Sequence, residues 1–253
     1  MEEHYIVQVQ SQVQGLVDDL KAVFTHAGLG GEAGEYKLLT QSFLYKFLND
    51  KFLYEALNID ESYDYQGLLN LSEEDYDWFL DDIGTKTAHL KPEQLIESLH
   101  RQQNQADFAE IFEQTLNQIA IDNNAIFSVH TDGGTDIRLF DQRLITDTIS
   151  DTSKRNEVAA SIINLLARVK FDQQIFSQGF DFFSTLFEYM IKDYNKDGGG
   201  KYAEYYTPHS VAKIIAAILV GNDQPSNVKI YDPSAGSGTL LMNLAIQIGT
   251  DRT

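Results

Sequence analysis

Along the first two-thirds of the chain, apolar residues recur with helical rather than alternating spacing. Between 36 and 57, Leu39, Phe43, Phe47 and Leu48 fall on one stripe, and Leu44, Leu48, Phe52 and Leu53 continue it, as one face of a helix requires. Phe108, Ile111, Phe112, Leu116 and Ile119 form a second face, and Val158, Ile162, Leu165, Leu166 and Val169 a third. Phe182, Phe183, Leu186, Phe187, Met190, Ile191 and Tyr194 form a fourth. Such aromatic and aliphatic stripes read as core. Ser72 stands three residues before Asp75, so SEEDYDWFLDD (72–82) predicts a helix with acids in its first turn and a solvated acidic face. Pro92 suits the first turn of a helix reaching about Gln103. AIFSVHTDGGTDIRLF (125–140) breaks the pattern: two short β-prone runs flank Asp-Gly-Gly, which reads as a small hairpin. GLGGEAGEY (28–36) follows no strand and reads as a loop between helices.

NKDGGGK (195–201) reads as a loop, expected to be mobile without a ligand. After it the pattern changes to helix, strand, glycine turn, helix. In YYTPHSVAKIIAAIL, Thr207 is a good N-cap and Pro208 suits the first helical position. Val211, Ile214, Ile215, Ile218 and Leu219 then follow helical spacing, and Gly221 ends the helix. A helix start has free N–H groups and a positive dipole end, where a carboxylate can settle. In VKIYDPSAGSGTLLMNLAI, Val228 to Tyr231 read as a short strand, and Leu240, Leu241, Leu244 and Ile248 as a helix face. Gly236 and Gly238 between them permit tight turning and close approach of a ligand. Asp232 stands at the carboxyl end of the expected strand, where open α/β sheets bind ligands. The turn is neither GxxxxGK[ST] nor GxGxxG, which disfavours a phosphate loop or a nicotinamide dehydrogenase. One element offers N–H donors and a hydroxyl; the other offers a carboxylate and bare backbone. A nucleoside linked to an amino acid satisfies both.

Charge changes the picture. The net charge is −19, from 19 Lys and Arg against 38 Asp and Glu. Neutralising DNA phosphates needs clustered Lys and Arg, so a DNA grip is expected to come from a basic partner. There is no Cys, and no two of the six His share metal-ligand spacing, so neither a disulfide framework nor a metal site is expected. The N-terminus MEEHYIVQVQ is not a signal peptide, and no apolar run reaches membrane-span length. These features predict a soluble, cytoplasmic protein.

Glu204-Tyr205-Tyr206-Thr207-Pro208 followed by Asp232-Pro233-Ser234-Ala235-Gly236-Ser237-Gly238 resembles the paired signatures of the γ-class N6-adenine DNA methyltransferases. More narrowly, it resembles the modification subunit of type I restriction-modification systems, where a helical domain precedes GE[FY]YTP and DPxxGSG. The resemblance implies a mainly α chain: a helical domain over 1–170, then over 171–253 the first β-α unit of a Rossmann-like methyltransferase domain. It implies S-adenosylmethionine as cofactor. Glu204, Tyr205, Tyr206, Thr207, Pro208 and His209 would line its methionine end, with Asp232, Ser234, Ala235, Gly236, Ser237, Gly238 and Thr239 wrapping that end from the sheet side. It also implies a specificity subunit, a restriction subunit, and double-stranded DNA held through the complex. One departure is that Ala203 stands where the family has Gly before the Glu.

The family presents adenine with [DN]PP[FY], and an enzyme acting on a base must flip it from the duplex. The four prolines, at 92, 208, 225 and 233, are nowhere adjacent, so that motif is absent. The acidic residue expected on the next strand for the ribose hydroxyls is absent too. The sequence therefore reads as truncated, with no catalytic residue of its own, no methyl transfer, and weak or no cofactor binding. An open strand edge would also favour self-association near the C-terminus. Two other readings stand beside this one. The first is a non-catalytic module that binds restriction-modification subunits or regulates their assembly. The second is a different Rossmann-like methyltransferase acting on protein or RNA.

Overall fold

The computed structural model describes residues 2–31, 33–127, 138–171, 175–176, 207–221, 228–235 and 238–249. The chain divides into two compact units, Met1–Phe176 and Ser177–Thr253. Among the described residues the fold is mainly helical, with no strand.

The first unit is a bundle of α1 (Glu2–His26), α2 (Ala33–Ile59), α3 (Tyr65–Asn70), α4 (Glu73–Ile83), α5 (Ile96–Gln102), α6 (Phe108–Asp122), α7 (Asn124–Phe127), α8 (Leu144–Thr148) and α9 (Arg155–Arg168). α1 buries Val9, Val13, Leu16, Val17, Leu20 and Phe24 on one face, the three-and-four spacing of an amphipathic helix. α2 packs against α1, α4, α8 and α9, while α9 packs against α1, α5 and α6. Phe43, Phe52, Phe108, Phe112 and Phe140 are fully buried among them.

Polar side chains lock this core at three places. Lys46 lies 2.8 Å from Asp50, both buried on α2. Asp50 also accepts from the Phe171 N–H at 3.0 Å and from the Asn49 amide at 2.8 Å. Asn49 in turn accepts from the Ile96 N–H at 2.9 Å. Burial pushes the Lys46 ammonium pKa down, and the neighbouring Asp50 partly offsets that. Buried Asn123 accepts from the His89 N–H at 2.6 Å and donates to the His89 carbonyl at 2.8 Å, pinning the connection before α5. The Tyr45 and Tyr76 hydroxyls donate to the Gln94 and Leu90 carbonyls of that connection.

Several sequence expectations hold here. The 36–57 stripe is α2, extended at its start because Glu35 reaches back to the Gly31 N–H at 2.6 Å. The loop expected over 28–36 holds only at its start, where Gly28 and Gly31 have positive φ; Ala33 to Tyr36 are already the first turn of α2. Ser72 caps α4 by accepting from the Asp75 N–H at 3.1 Å. Two expectations need correction. The helix expected from Pro92 to Gln103 is a 3₁₀ turn, Pro92–Gln94, then α5; Leu95 is extended between them, and the Asn49 side chain takes the Ile96 N–H. The hairpin expected over 125–140 is helical at its start, because the Asn123 carbonyl accepts from Ile126 and Phe127 and closes α7. Residues 128–137 lie outside the described set, and Asp141 is tied to Gln41 and Lys37 of α2 instead of to a strand. The stripe expected over 182–194 and the loop 195–201 also lie outside the described residues.

In the second unit, α10 (His209–Val220) and α11 (Thr239–Ile248) pack against each other. α10 buries Ala212, Ala216 and Val220, and α11 buries Thr239, Asn243 and Ile248. The helical spacing read at Val211, Ile214, Ile215, Ile218 and Leu219 holds, but those residues are not the buried arc. Ile214 is 59% exposed, Ile218 73% and Leu219 66%. α10 is apolar almost all round, so its spacing marks a helix without marking the buried arc. Small Ala212 and Ala216 permit close approach and occupy the packed side.

Candidate functional site

The site expected from sequence has two elements, and both lie in the second unit. The first is the start of α10. Thr207 was expected to cap it and Pro208 to open it; the structure shifts both by one position. Pro208, at φ −55° and ψ 137°, is the N-cap, and its carbonyl accepts from Val211 at 2.9 Å and Ala212 at 3.1 Å. A residue before proline is held extended, so Thr207 stays outside the helix. Among the described residues no side chain caps this turn. A helix start carries N–H groups and the positive end of the helix dipole, which suit an anion. Gly221 closes α10 as expected, at φ 57°, with its N–H donating to the Ala217 carbonyl at 2.9 Å.

The second element is the turn between residues 228 and 238. Residues 228–232 form neither helix nor strand, so the expected strand at Val228–Tyr231 is not formed as a ladder. An extended segment becomes a strand only when a neighbour takes its N–H and C=O groups. Half-buried Asp232 accepts from the Ser234 N–H at 2.8 Å, which folds the chain at Pro233. The Ala235 carbonyl accepts from the Gly238 N–H at 2.7 Å and closes the turn. Gly238 is the N-cap of α11 at φ 76° and ψ 8°, a left-handed conformation that glycine adopts without steric penalty. Its carbonyl accepts from Met242 at 2.9 Å, and Gly238 itself has no side chain to cap α11. The turn thus offers one carboxylate leading into a second helix start.

Of the sequence-expected site residues, Thr207, Pro208, Asp232, Ser234, Ala235, Gly238 and Thr239 are described, and His209 opens α10. Asp232 is hydrogen-bonded to Ser234, and Ala235 to Gly238. Glu204, Tyr205, Tyr206, Gly236 and Ser237 lie outside the described residues. Sequence reasoning missed Asn243. It is buried, and its amide donates to the Thr239 carbonyl at 2.8 Å, bracing the first turn of α11. The available signal was a lone amide in the otherwise apolar run LLMNLAI.

Residues 178–252 match the model of the N-6 DNA Methylase family. The chain resembles the N-terminal part of a type I restriction-modification methyltransferase subunit. Over 73 residues it is 29% identical to the type I restriction enzyme MpnII methylase subunit of Mycoplasma pneumoniae, covering 29% of this chain and 13% of that protein. Its fold is similar to the crystal structure of the type I restriction-modification system methyltransferase subunit from Streptococcus thermophilus. The TM-score is 0.64 at 22% identity, over 96% of this chain and 50% of that one. The chain thus spans half the length of that solved subunit and a smaller share of the curated relative. No described helix is long and apolar enough to cross a membrane. No group of His, Cys, Asp or Glu among the described residues could hold a metal ion.

Proposed function

We propose that this chain belongs to the modification subunit of a type I restriction-modification system and that the full-length protein methylates N6 of adenine in DNA. The observation that carries the reading is the Asp232 turn running through left-handed Gly238 into α11, with the start of α10 lying in the same segment that matches the methylase family. The donor set fits the methionine end of S-adenosylmethionine. The start of α10 suits a carboxylate, Asp232 suits an ammonium, and Gly238 keeps the backbone bare. Thr207, Pro208, His209, Asp232, Ser234, Ala235, Gly238 and Thr239 would hold the cofactor, with Glu204, Tyr205, Tyr206, Gly236 and Ser237 completing the set. When bound, the cofactor supplies an electrophilic methyl group. This chain's residues orient that group and exclude water; the polar and aromatic groups that present the base are not in its sequence.

Residues 171–253 are read as the start of a Rossmann-like domain, with the 228–232 segment joining a sheet in the full-length protein. A specificity subunit would supply sequence recognition and basic surface, a restriction subunit would complete the assembly, and the complex would act on duplex DNA in the cytoplasm. The 253-residue chain by itself is expected to bind S-adenosylmethionine weakly or not at all and to transfer no methyl group. Labelled S-adenosylmethionine and an adenine-containing duplex test this. Methyl transfer to DNA by the full-length subunit with its specificity partner supports the reading, while turnover by the 253-residue chain alone contradicts the expected inactivity. The non-catalytic reading is favoured by one feature, the size and self-contained core of the helical unit. It predicts subunit binding without methyl transfer at any length.

A further inference from the structure

We propose that the outward face of α4 docks a lysine- and arginine-rich segment of another protein. α4 buries Tyr76, Phe79 and Ile83 against the bundle. Away from them stands Trp78, 67% exposed and the single tryptophan of the chain. Helical spacing puts Glu74 and Asp75 three or four residues before it and Asp81 and Asp82 three or four after it. An indole is thereby flanked by carboxylates along both directions of one helix face. All four acids are exposed. Between Lys51 and Lys86 the sequence holds no Lys, Arg or His, and no ion pair among the described residues neutralises these acids.

A solvated helix face does not need this arrangement. Acids in the first turn suit the helix dipole, but Asp81 and Asp82 sit in the last turns, where they oppose it. Glu73 with Asp77, and Asp77 with Asp81, are like-charge pairs at four-residue spacing, which weakens a helix. A large apolar ring in water adds a further cost. A cationic polypeptide relieves all three. Its charges neutralise the carboxylates, its aliphatic stems cover the indole, and a guanidinium or ammonium over the ring gains a cation–π contact. Nucleic acid and acidic partners are repelled by the same field. The inference uses only the first unit and stands whether or not the methyltransferase reading does.

Trp78 emission reports on this face directly. The intact chain is titrated with a synthetic peptide alternating arginine and alanine, with a glutamate–alanine peptide and duplex DNA as controls. A saturable emission change is expected with the arginine peptide alone, weakening as salt rises. By anisotropy of the labelled peptide, affinity is expected to fall about tenfold in Trp78→Ala and in the double variant Asp81→Asn, Asp82→Asn, on the scale of a lost cation–π or charge contact. The double variant Asp19→Asn, Glu110→Gln removes two exposed charges from α1 and α6 and is expected to leave affinity unchanged. Circular dichroism should show every variant folded, because Trp78 is exposed and the amide changes on α4 relieve repulsion. Equal losses in the two charge variants would reduce the effect to general attraction and overturn the proposal. So would the absence of saturation, a response to DNA, or an emission change with protein concentration alone, which would assign the face to a second copy of the chain.

Discussion

The two compact units treat their apolar residues in opposite ways. In the first, long amphipathic helices bury whole phenylalanines, and the side chains of Asp50, Asn49 and Asn123 close the places where helices end. In the second, α10 buries alanines and turns Ile214, Ile218 and Leu219 outward. The first unit carries its own core. The second, among its described residues, is organised around backbone: an Asx turn, a left-handed glycine and two helix starts. A close-packed core fixes geometry, whereas a glycine turn leaves backbone bare.

Substitutions can break or sharpen that contrast. Phe112→Ala should have the largest effect, about 3–5 kcal/mol of lost stability in urea unfolding, from lost transfer energy and a cavity. Ile218→Ala, on the exposed side of α10, should change stability by under about 0.5 kcal/mol; a loss as large as that of Phe112→Ala would erase the distinction between the units. Asp50→Ala should follow closely at about 3–5 kcal/mol, because it strands the buried Lys46. Gly238→Ala should cost about 1–2 kcal/mol of local strain, because an L side chain is disfavoured at φ 76°, and should raise hydrogen exchange at the start of α11 without affecting the first unit. Ser72→Ala should cost about 1 kcal/mol through the lost cap.

The smallest effect is set by pH. Burial raises the Tyr45 and Tyr76 phenol pKa values, with Glu93 adding to the effect at Tyr76. The folded state therefore keeps protons that the unfolded chain releases above the ordinary tyrosine value of 10.0. Stability is fully present below that pH and should decline as pH rises beyond it. Tyr76→Phe should flatten part of the decline while losing about 1 kcal/mol of hydrogen bonding at neutral pH.

Local chemistry made much of this legible in the sequence. Ser72 and Asp75 are three residues apart, so their cap is written in one turn, and Gly221 ends α10 for an equally local reason. The α6 and α9 stripes were legible because each is bounded by polar faces, and the α2 stripe by its helical spacing, although α2 also buries Lys46, Asn49 and Asp50. What was not legible depends on distant partners. The break at Leu95 needs Asn49, 47 positions from Ile96. The buried arc of α10 could not be chosen because nearly every position of IIAAILV is apolar, and the packing of α11 decides it. In the site, the residue types and the glycine turn were readable, whereas the unpaired state of 228–232 and the brace from Asn243 required the fold.

In the proposed function, the Asp232 turn and the start of α10 would form one end of an S-adenosylmethionine site. Isothermal titration of S-adenosylmethionine into the full-length protein and its Asp232→Ala variant tests it most directly. Saturable binding that falls at least about tenfold in the variant, the scale of a lost charged hydrogen bond, is the result predicted. Undiminished binding by Asp232→Ala would contradict the claim.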